Sequence, residues 1–279
     1  MEKYDLLPKQ LIYDGTCIQE DFFVPKPIDL SIIERVHEPE YIKKLRTLTL
    51  NKSEARKIGF PLSKELVERE IIIAGGTIQG SMKAFETGIA MNIAGGTHHA
   101  FKGHGEAFCL LNDQAIAAQY LLDKKLVDRI LIVDLDVHQG NGTAEIFQSN
   151  PNVFTFSMHG QKNYPFHKEQ SDLDIALEDD CNDADFLRIL KKILPGLIAK
   201  TRPDFIFYLC GVDVLKTDKL GRLGLTVAGC KQRDVFVLEL CKKNNIPVQC
   251  SMGGGYSKEI KVIVDAHANT FRAAKHIFD

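Results

Sequence analysis

A chain of 279 residues that is 44% apolar and 26% charged has the make-up of a folded globular protein, which excludes disordered, collagen-like and small disulfide-stapled chains. Its 35 basic and 37 acidic residues nearly cancel, so the charge gives no footprint for nucleic acid or an anionic membrane, and neither is expected as a direct partner. The charged start Glu2-Lys3-Tyr4-Asp5 does not read as a secretory leader, no apolar run approaches the ~18 residues of a membrane span, and seven cysteines without a CxxC pair suit reduced core thiols; a cytoplasmic protein with one domain over 1–279 is expected.

In chain order, a weak strand-like run at 22–24 is followed by helical spacing at 63–86, a strand at 90–93, a helix at 113–124 and strands at 130–137 and 153–157. A helix at 183–200, a strand at 205–210, a helix at 226–243, a strand at 247–252 and a helix at 258–277 complete the pattern. Strands separated by helix-length segments imply right-handed βαβ units and a mostly parallel sheet covered on both faces, an α/β fold. Ile130-Leu131-Ile132-Val133 lacks polar alternation, as a strand buried on both faces should. Gly75-Gly76-Thr77 lies inside a helical pattern and reads as helix packing at small residues rather than as a cofactor loop. In such sheets ligands bind beyond the carboxyl ends of the strands, so the chemistry is sought directly after the apolar runs.

Four strand ends carry polar clusters: Gly95-Gly96-Thr97-His98-His99, Asp134-Leu135-Asp136-Val137-His138, Gly211-Val212-Asp213 through Asp218, and Gly253-Gly254-Gly255-Tyr256. In Asp134-x-Asp136-x-His138 the strand period of two turns all three side chains the same way, which a buried strand tolerates only if something compensates the charge. A metal ion would do so, and a catalytic zinc keeps three protein ligands and an open position. Asp136 and His138 supply two; Asp213 and Asp218 are the acidic candidates for the third, and spacing does not choose between them. Carboxylates at strand ends also serve Mg²⁺ with a nucleotide, but the added histidine points to a transition metal. The triple glycine is followed by no Lys-Ser/Thr, which excludes a Walker-type loop. His37, His104, His159, His167, His267 and His276 are read individually as core or surface residues.

Taken together with Phe108-Cys109-Leu110-Leu111-Asn112-Asp113 and the run from His37-Glu-Pro-Glu-Tyr41 onward, these ordered motifs resemble the histone deacetylase family. Ile58-Gly59-Phe60-Pro61 and Asn163-Tyr164-Pro165 resemble its class IV and bacterial class IV-like branch. The resemblance implies an arginase/deacetylase fold, a three-layer α/β/α sandwich around a parallel sheet of about eight strands. It also implies Zn²⁺-dependent hydrolysis of an acyl-lysine amide, with Fe²⁺ as an alternative metal. Carried over by residue, it places the metal on Asp136, His138 and Asp218 and leaves Asp213 structural. His98 and His99 become the proton-handling pair, backed by Asp134 and Asn141, with Tyr256 as oxyanion donor. Phe108, Tyr164 and Leu225 become tunnel walls, and Asp134, Asp136, His138, Ser157 and Met158 hold a structural K⁺. Ala107 stands where a glycine usually precedes the tunnel phenylalanine. Family members carry a further N-terminal stretch with a first strand, which implies that the run at 22–24 lies at an unpaired sheet edge beside an open catalytic rim. The competing readings are an acetylpolyamine amidohydrolase, a ureohydrolase, which needs a two-metal carboxylate set, and a non-catalytic acyl-lysine binding module, which would not need Tyr256.

Overall fold

The computed structural model describes residues 2–279. Along the chain lie α1 (Lys3–Tyr13), α2 (Leu30–Ile33), α3 (Pro39–Thr47), α4 (Lys52–Ile58), α5 (Lys64–Thr87), β1 (Ile89–Asn92), α6 (Asp113–Asp123) and β2 (Ile130–Asp134). They are followed by α7 (Asn141–Phe147), β3 (Val153–Gly160), β4 (Leu173–Leu177), α8 (Asp183–Thr201), β5 (Phe205–Leu209), α9 (Val227–Lys243), β6 (Val248–Ser251) and α10 (Ile260–Phe278). Side-chain caps start the long helices where the sequence offers a short polar residue: Ser63 accepts from Leu66 N–H, Asn112 from Ala115, Asn182 from Asp185 and Thr226 from Gly229.

Among the described residues the sheet has six strands, all parallel, in the order β1-β6-β5-β2-β3-β4. The unbroken apolar run of β2 divides by strand period. Leu131 and Val133 pack with Phe156, Tyr208 and the apolar faces of α8, α9 and α10, whereas Ile130 and Ile132 pack with Phe205, Phe207, α5 and α6. Each face of the sheet thus has its own core, which gives the α/β/α layering. Register brings the carboxyl ends level: Asp134 sits beside Ser157 and Leu209, and Ser251 beside Leu209 and Asn92.

Three features depart from the sequence reading. The run at 22–24 is not a strand: Pro25 and Pro27 follow it, and Phe23 and Val24 are exposed, so it forms no sheet edge. The edge strands are β1 and β4. Strand β4, Leu-Asp-Ile-Ala-Leu, went unrecognised because it is short, half-buried and broken by an acidic residue. Helix α1 contains Pro8, which costs a helix interior ~3 kcal/mol. Leu7 and Leu11 offset that cost: both are fully buried against Val264, Ala268 and Phe271 of α10, at ~1.5–3 kcal/mol each. The glycine pair in α5 is a packing device, as its sequence context suggested. A Cβ on Gly75 would lie 2.0 Å from the Lys26 carbonyl oxygen, and one on Gly76 3.2 Å from Pro25, so the 25–28 segment crosses α5 in contact with its backbone.

Five of the seven free cysteines are buried, matching their reading as core thiols, and no described helix is long and apolar enough to cross a membrane.

His37 shows how a satisfied core histidine is tied in. Its Nε2 accepts from the Asn112 N–H at 3.0 Å, so Nδ1 carries the proton and donates to the Phe101 carbonyl at 2.8 Å. Burial lowers this imidazole from 6.5 to about 4. The unfolded chain therefore takes up a proton here below about pH 6.5 and the folded chain only near about pH 4. The contribution of a neutral His37 to stability is present above that window and is lost as pH falls through it, a change of about 3 kcal/mol. The melting-temperature advantage of the wild type over His37→Gln should shrink between about pH 7.5 and about pH 4.5. An advantage of the same size at both values would show that His37 does not titrate with folding.

Candidate metal centre and active site

Past the end of β2 the chain bends at 136–138 but keeps alternating apolar and polar residues. Leu135 and Val137 are fully buried in the core shared with α8 and α9, which turns Asp134, Asp136 and His138 to the other side. The same device recurs after β5, where fully buried Val212 and Val214 flank Asp213. The two loops meet through Asp213, whose Oδ1 accepts from the Val137 N–H at 3.0 Å. Its Oδ2 lies 3.3 Å from His138 Nδ1. Asp136 Oδ1 accepts from His138 N–H at 3.0 Å and lies 3.2 Å from its Nδ1, while Oδ2 accepts from Gly254 N–H at 2.9 Å. Ligand atoms of Asp136, His138 and Asp213 all lie within 4.8 Å of one another.

Asp213, not Asp218, completes this group, which corrects the assignment carried over from the motif. Asp218 is only half-buried and its oxygens are already engaged: Oδ1 accepts from Leu220 N–H at 2.8 Å and Gly221 N–H at 2.9 Å, and Oδ2 from Tyr256 N–H at 2.6 Å. It clamps the loop after β5 to the backbone of Tyr256. The signal that singles out Asp213 is present in the sequence, because Val-Asp-Val repeats the apolar-acid-apolar alternation of Leu-Asp-Val.

Beside the group stand two buried histidines with rings 4.1 Å apart. His98 Nδ1 is 2.7 Å from Asp134 Oδ2, and His99 Nδ1 donates to Asn141 Oδ1 at 2.6 Å, which leaves a lone pair on His99 Nε2. Burial lowers both imidazoles, but the Asp134 carboxylate outweighs it at His98, which ends above its usual value. Asn141 brings no charge, so His99, buried beside His98 and His138, is held well below its usual value. Asp134, Asp136, His138, Ser157 and Met158 come to the same strand ends, with Asp134 and Ser157 paired in register.

A cavity of about 520 Å³ opens above these groups. Tyr256 stands at its mouth, 44% exposed, and its phenol is raised by burial and nearby acids, so at neutral pH it is an O–H donor. Phe108 packs on Phe60 at 5.0 Å between ring centroids and lies directly over Gly59. Ala107 and Phe108 both have positive φ, +43° and +69°, and are held there by N–H bonds to the Lys57 and Ile58 carbonyls. The Tyr164 ring meets His99 edge-on at 5.2 Å, and its hydroxyl donates to Glu106 at 2.5 Å. His104 and burial act oppositely on Glu106, and with Tyr164 and Lys57 the carboxyl is brought down to about 2. Leu225 is not a wall: it is buried in the core beside Leu215, and Leu220 lines the cavity instead.

The sequence reading missed Lys3. With Leu7 and Leu11 it forms a stripe at four-residue spacing, the buried face of α1, and its Nζ donates to the Gly253 carbonyl at 3.0 Å and lies 5.8 Å from the Tyr256 ring centroid. Burial lowers this ammonium, while Asp213, Asp136 and Asp218 favour its charge.

Comparison with known proteins agrees with this geometry. The histone deacetylase domain family matches residues 1–271. An uncharacterized protein of Picosynechococcus sp. is 45% identical over 278 residues, spanning 100% of this chain and 93% of that protein. The crystal structure of an HDAC homolog complexed with SAHA superposes with a TM-score of 0.83 at 25% identity, over 97% of this chain and 77% of that one. Acetylpolyamine aminohydrolase from Burkholderia pseudomallei, with a TM-score of 0.77 at 20% identity over 97% and 88% of the two chains, shares the fold. With its strand-end acids, paired histidines and match along nearly the whole chain, the protein belongs to the histone deacetylase family.

Proposed function

We propose that the protein is a metal-dependent deacylase that hydrolyses the amide of an acyl-lysine or a related small acyl-amide. The observation that carries the reading is the convergence on one cavity of Asp136, His138 and Asp213, the His98–Asp134 and His99–Asn141 pairs, and the Tyr256 phenol.

The donor set fits a divalent cation. Asp136 and Asp213 are each 1% exposed and share His138, and burial together with the charge of Asp136 drives Asp213 above the usual carboxylate range. Two carboxylates so placed are both ionised at low cost only with a cation between them. Asp136, His138 and Asp213 would hold Zn²⁺, or Fe²⁺, with a position left open, and such an ion when bound polarises a carbonyl and acidifies water. Asp134, Ser157 and Met158, with the backbone of Asp136 and His138, would hold the structural K⁺.

The remaining steps belong to the chain's own side chains. His99, neutral and with a free Nε2 lone pair, takes the proton of the attacking water. An amide anion is too basic to leave, so that proton is returned to the departing amine nitrogen. His98, whose charged form Asp134 supports, lends positive potential to the developing oxyanion, and Tyr256 donates a hydrogen bond to it. Phe108 and Tyr164 line the approach of an unbranched aliphatic stem. The phenol at the mouth favours catalysis over mere binding, and the free buried thiols suit a cytoplasmic protein.

Elemental analysis of wild type should find about one Zn²⁺ or Fe²⁺ per chain. Asp213→Ala should lose it and Asp218→Ala should retain it; the reverse would return the ligand role to Asp218. Tyr256→Phe should keep its metal and lose ~10²–10³ in kcat on acetyl-lysine peptides. Wild-type turnover by that variant would remove Tyr256 from the transition state, and no turnover of any acyl-lysine or acyl-amide by metal-loaded wild type would remove the activity.

A further inference from the structure

The floor of the cavity is acidic, but its mouth is not. Lys162, Lys219 and Arg222 line it together with Phe166 and Leu220. The side chains of Lys162 and Arg222 are 58% and 56% exposed, and both are directed at one carboxylate, Asp179, at 3.5 and 3.2 Å. Lys219 is exposed and has no carboxylate partner within 4.0 Å among the described residues. The acidic turn that holds Glu178, Asp179 and Asp180 does not line the cavity, nor does Glu106. Asp218, the other acid of these loops, spends its oxygens on the N–H groups of Leu220, Gly221 and Tyr256, so three cations against two carboxylates leave this side of the mouth net positive.

The two basic loops are tied to each other, which holds the cations in place. Asn163 Nδ2 donates to the Leu220 carbonyl at 2.7 Å, and Arg222 N–H donates to Asn163 Oδ1 at 3.2 Å. Lys168 is spent on the carbonyls of the loop after β3, at 2.5 Å from Pro165 and 2.7 Å from Asn163, so it stiffens that loop rather than adding to the rim charge. A fixed positive rim meets the part of a substrate that stays outside the channel. That part is the peptide flanking the lysine, because the acyl group and the lysine stem go inward.

Resting on the deacylase reading above, we propose that Lys162, Lys219 and Arg222 select acyl-lysine peptides with acidic residues beside the modified lysine, and that they disfavour polycationic acyl-amides such as acylated polyamines. Complementary charge at a partly exposed rim acts on encounter and binding, so the preference falls in KM and weakens with salt.

The test compares acetyl-lysine peptides with Asp/Glu or Lys/Arg flanks, and an acetylated polyamine, on metal-loaded wild type and on Lys219→Glu and Lys162→Glu/Lys219→Glu. The acidic flank should lower KM by about fivefold relative to the basic flank at low ionic strength, a difference that fades at about 0.5 M salt. The double variant should lose or reverse the preference. Anisotropy binding of the same peptides, labelled, to the Tyr256→Phe variant reads the rim without turnover. Binding that prefers acidic flanks without hydrolysis of any peptide supports the rim assignment and removes the activity. Hydrolysis with no flank preference, a preference unmoved by the charge reversals, or faster turnover of the polyamine overturns the rim assignment and leaves the activity standing.

Discussion

Two carboxylates, Asp136 and Asp213, are buried at the carboxyl ends of adjacent strands, and the surrounding structure is arranged around the cost of that burial. Part of the compensation is backbone: Val137, His138 and Gly254 each donate an N–H to one of the two. Such an approach needs residues without side chains; a Cβ on Gly254 would lie 1.9 Å from Asp213 Oδ2, and one on Gly211 2.2 Å from Asp136 Oδ2. A further share comes from Arg233 of α9. Its guanidinium is fully buried and donates to the carbonyls of Leu135, Cys210 and Gly211, the residues on which the two acids are mounted. Asp234 neutralises that cation and is itself held by Tyr208 and Thr270. The core thus fixes the separation of the two acids, which is the preorganisation that the proposed metal site requires.

The two histidines show how one exchange of residue type divides labour between equals. His98 and His99 have the same burial, and their rings are nearly in contact, so desolvation acts alike on both. Only the partner differs, a carboxylate at His98 and an amide at His99. A charge in the low-dielectric interior shifts an imidazole strongly, whereas a neutral acceptor only orients it. Asp134 therefore favours a cation and Asn141 a base. A tandem pair in which both partners were carboxylates would lack this asymmetry.

How much of this was legible follows the local physics. The α/β class, the long helices and the strands that supply the site could be read because buried parallel strands leave unbroken apolar runs, and polar residues just beyond them stand out. His98, His99, Asp134, Asp136, His138 and Tyr256 stand out that way as polar residues, and the structure brings them to one cavity or its wall. Legibility ended where the chain leaves periodic structure. Motif matching favours Asp218 over Asp213, although the buried valines on either side of Asp213 repeat the apolar-acid-apolar alternation of 135–137, which Asp218 lacks. Leu225 and Leu220 are equivalent as letters in a loop; only tertiary packing puts one in the core and the other at the mouth. The run at 22–24 has strand-like residues but no neighbour to pair with, and α1 hides behind Pro8 although its leucines are correctly spaced.

The floor and the rim of the cavity are built to different tolerances. Asp134 ends β2, and Asp136, His138 and Asp213 follow within a few residues of β2 or β5, fastened by backbone N–H groups, buried apolar neighbours and Arg233. The rim is carried by loops, and single side chains fasten it to the floor: Asp218 binds the backbone of Tyr256, Asn163 joins the two basic loops, and Lys3 bonds the Gly253 carbonyl. The proposed hydrolysis demands donors placed within a fraction of an ångström, and at the rim only Tyr256, clamped by Asp218, is asked to meet that demand; selection by charge acts over a Debye length of ~8 Å and accepts looser placement. A change in a fastening residue such as Asp218 or Lys3 therefore acts on the orientation of Tyr256, leaving Asp136, His138 and Asp213 where the strand ends and Arg233 hold them.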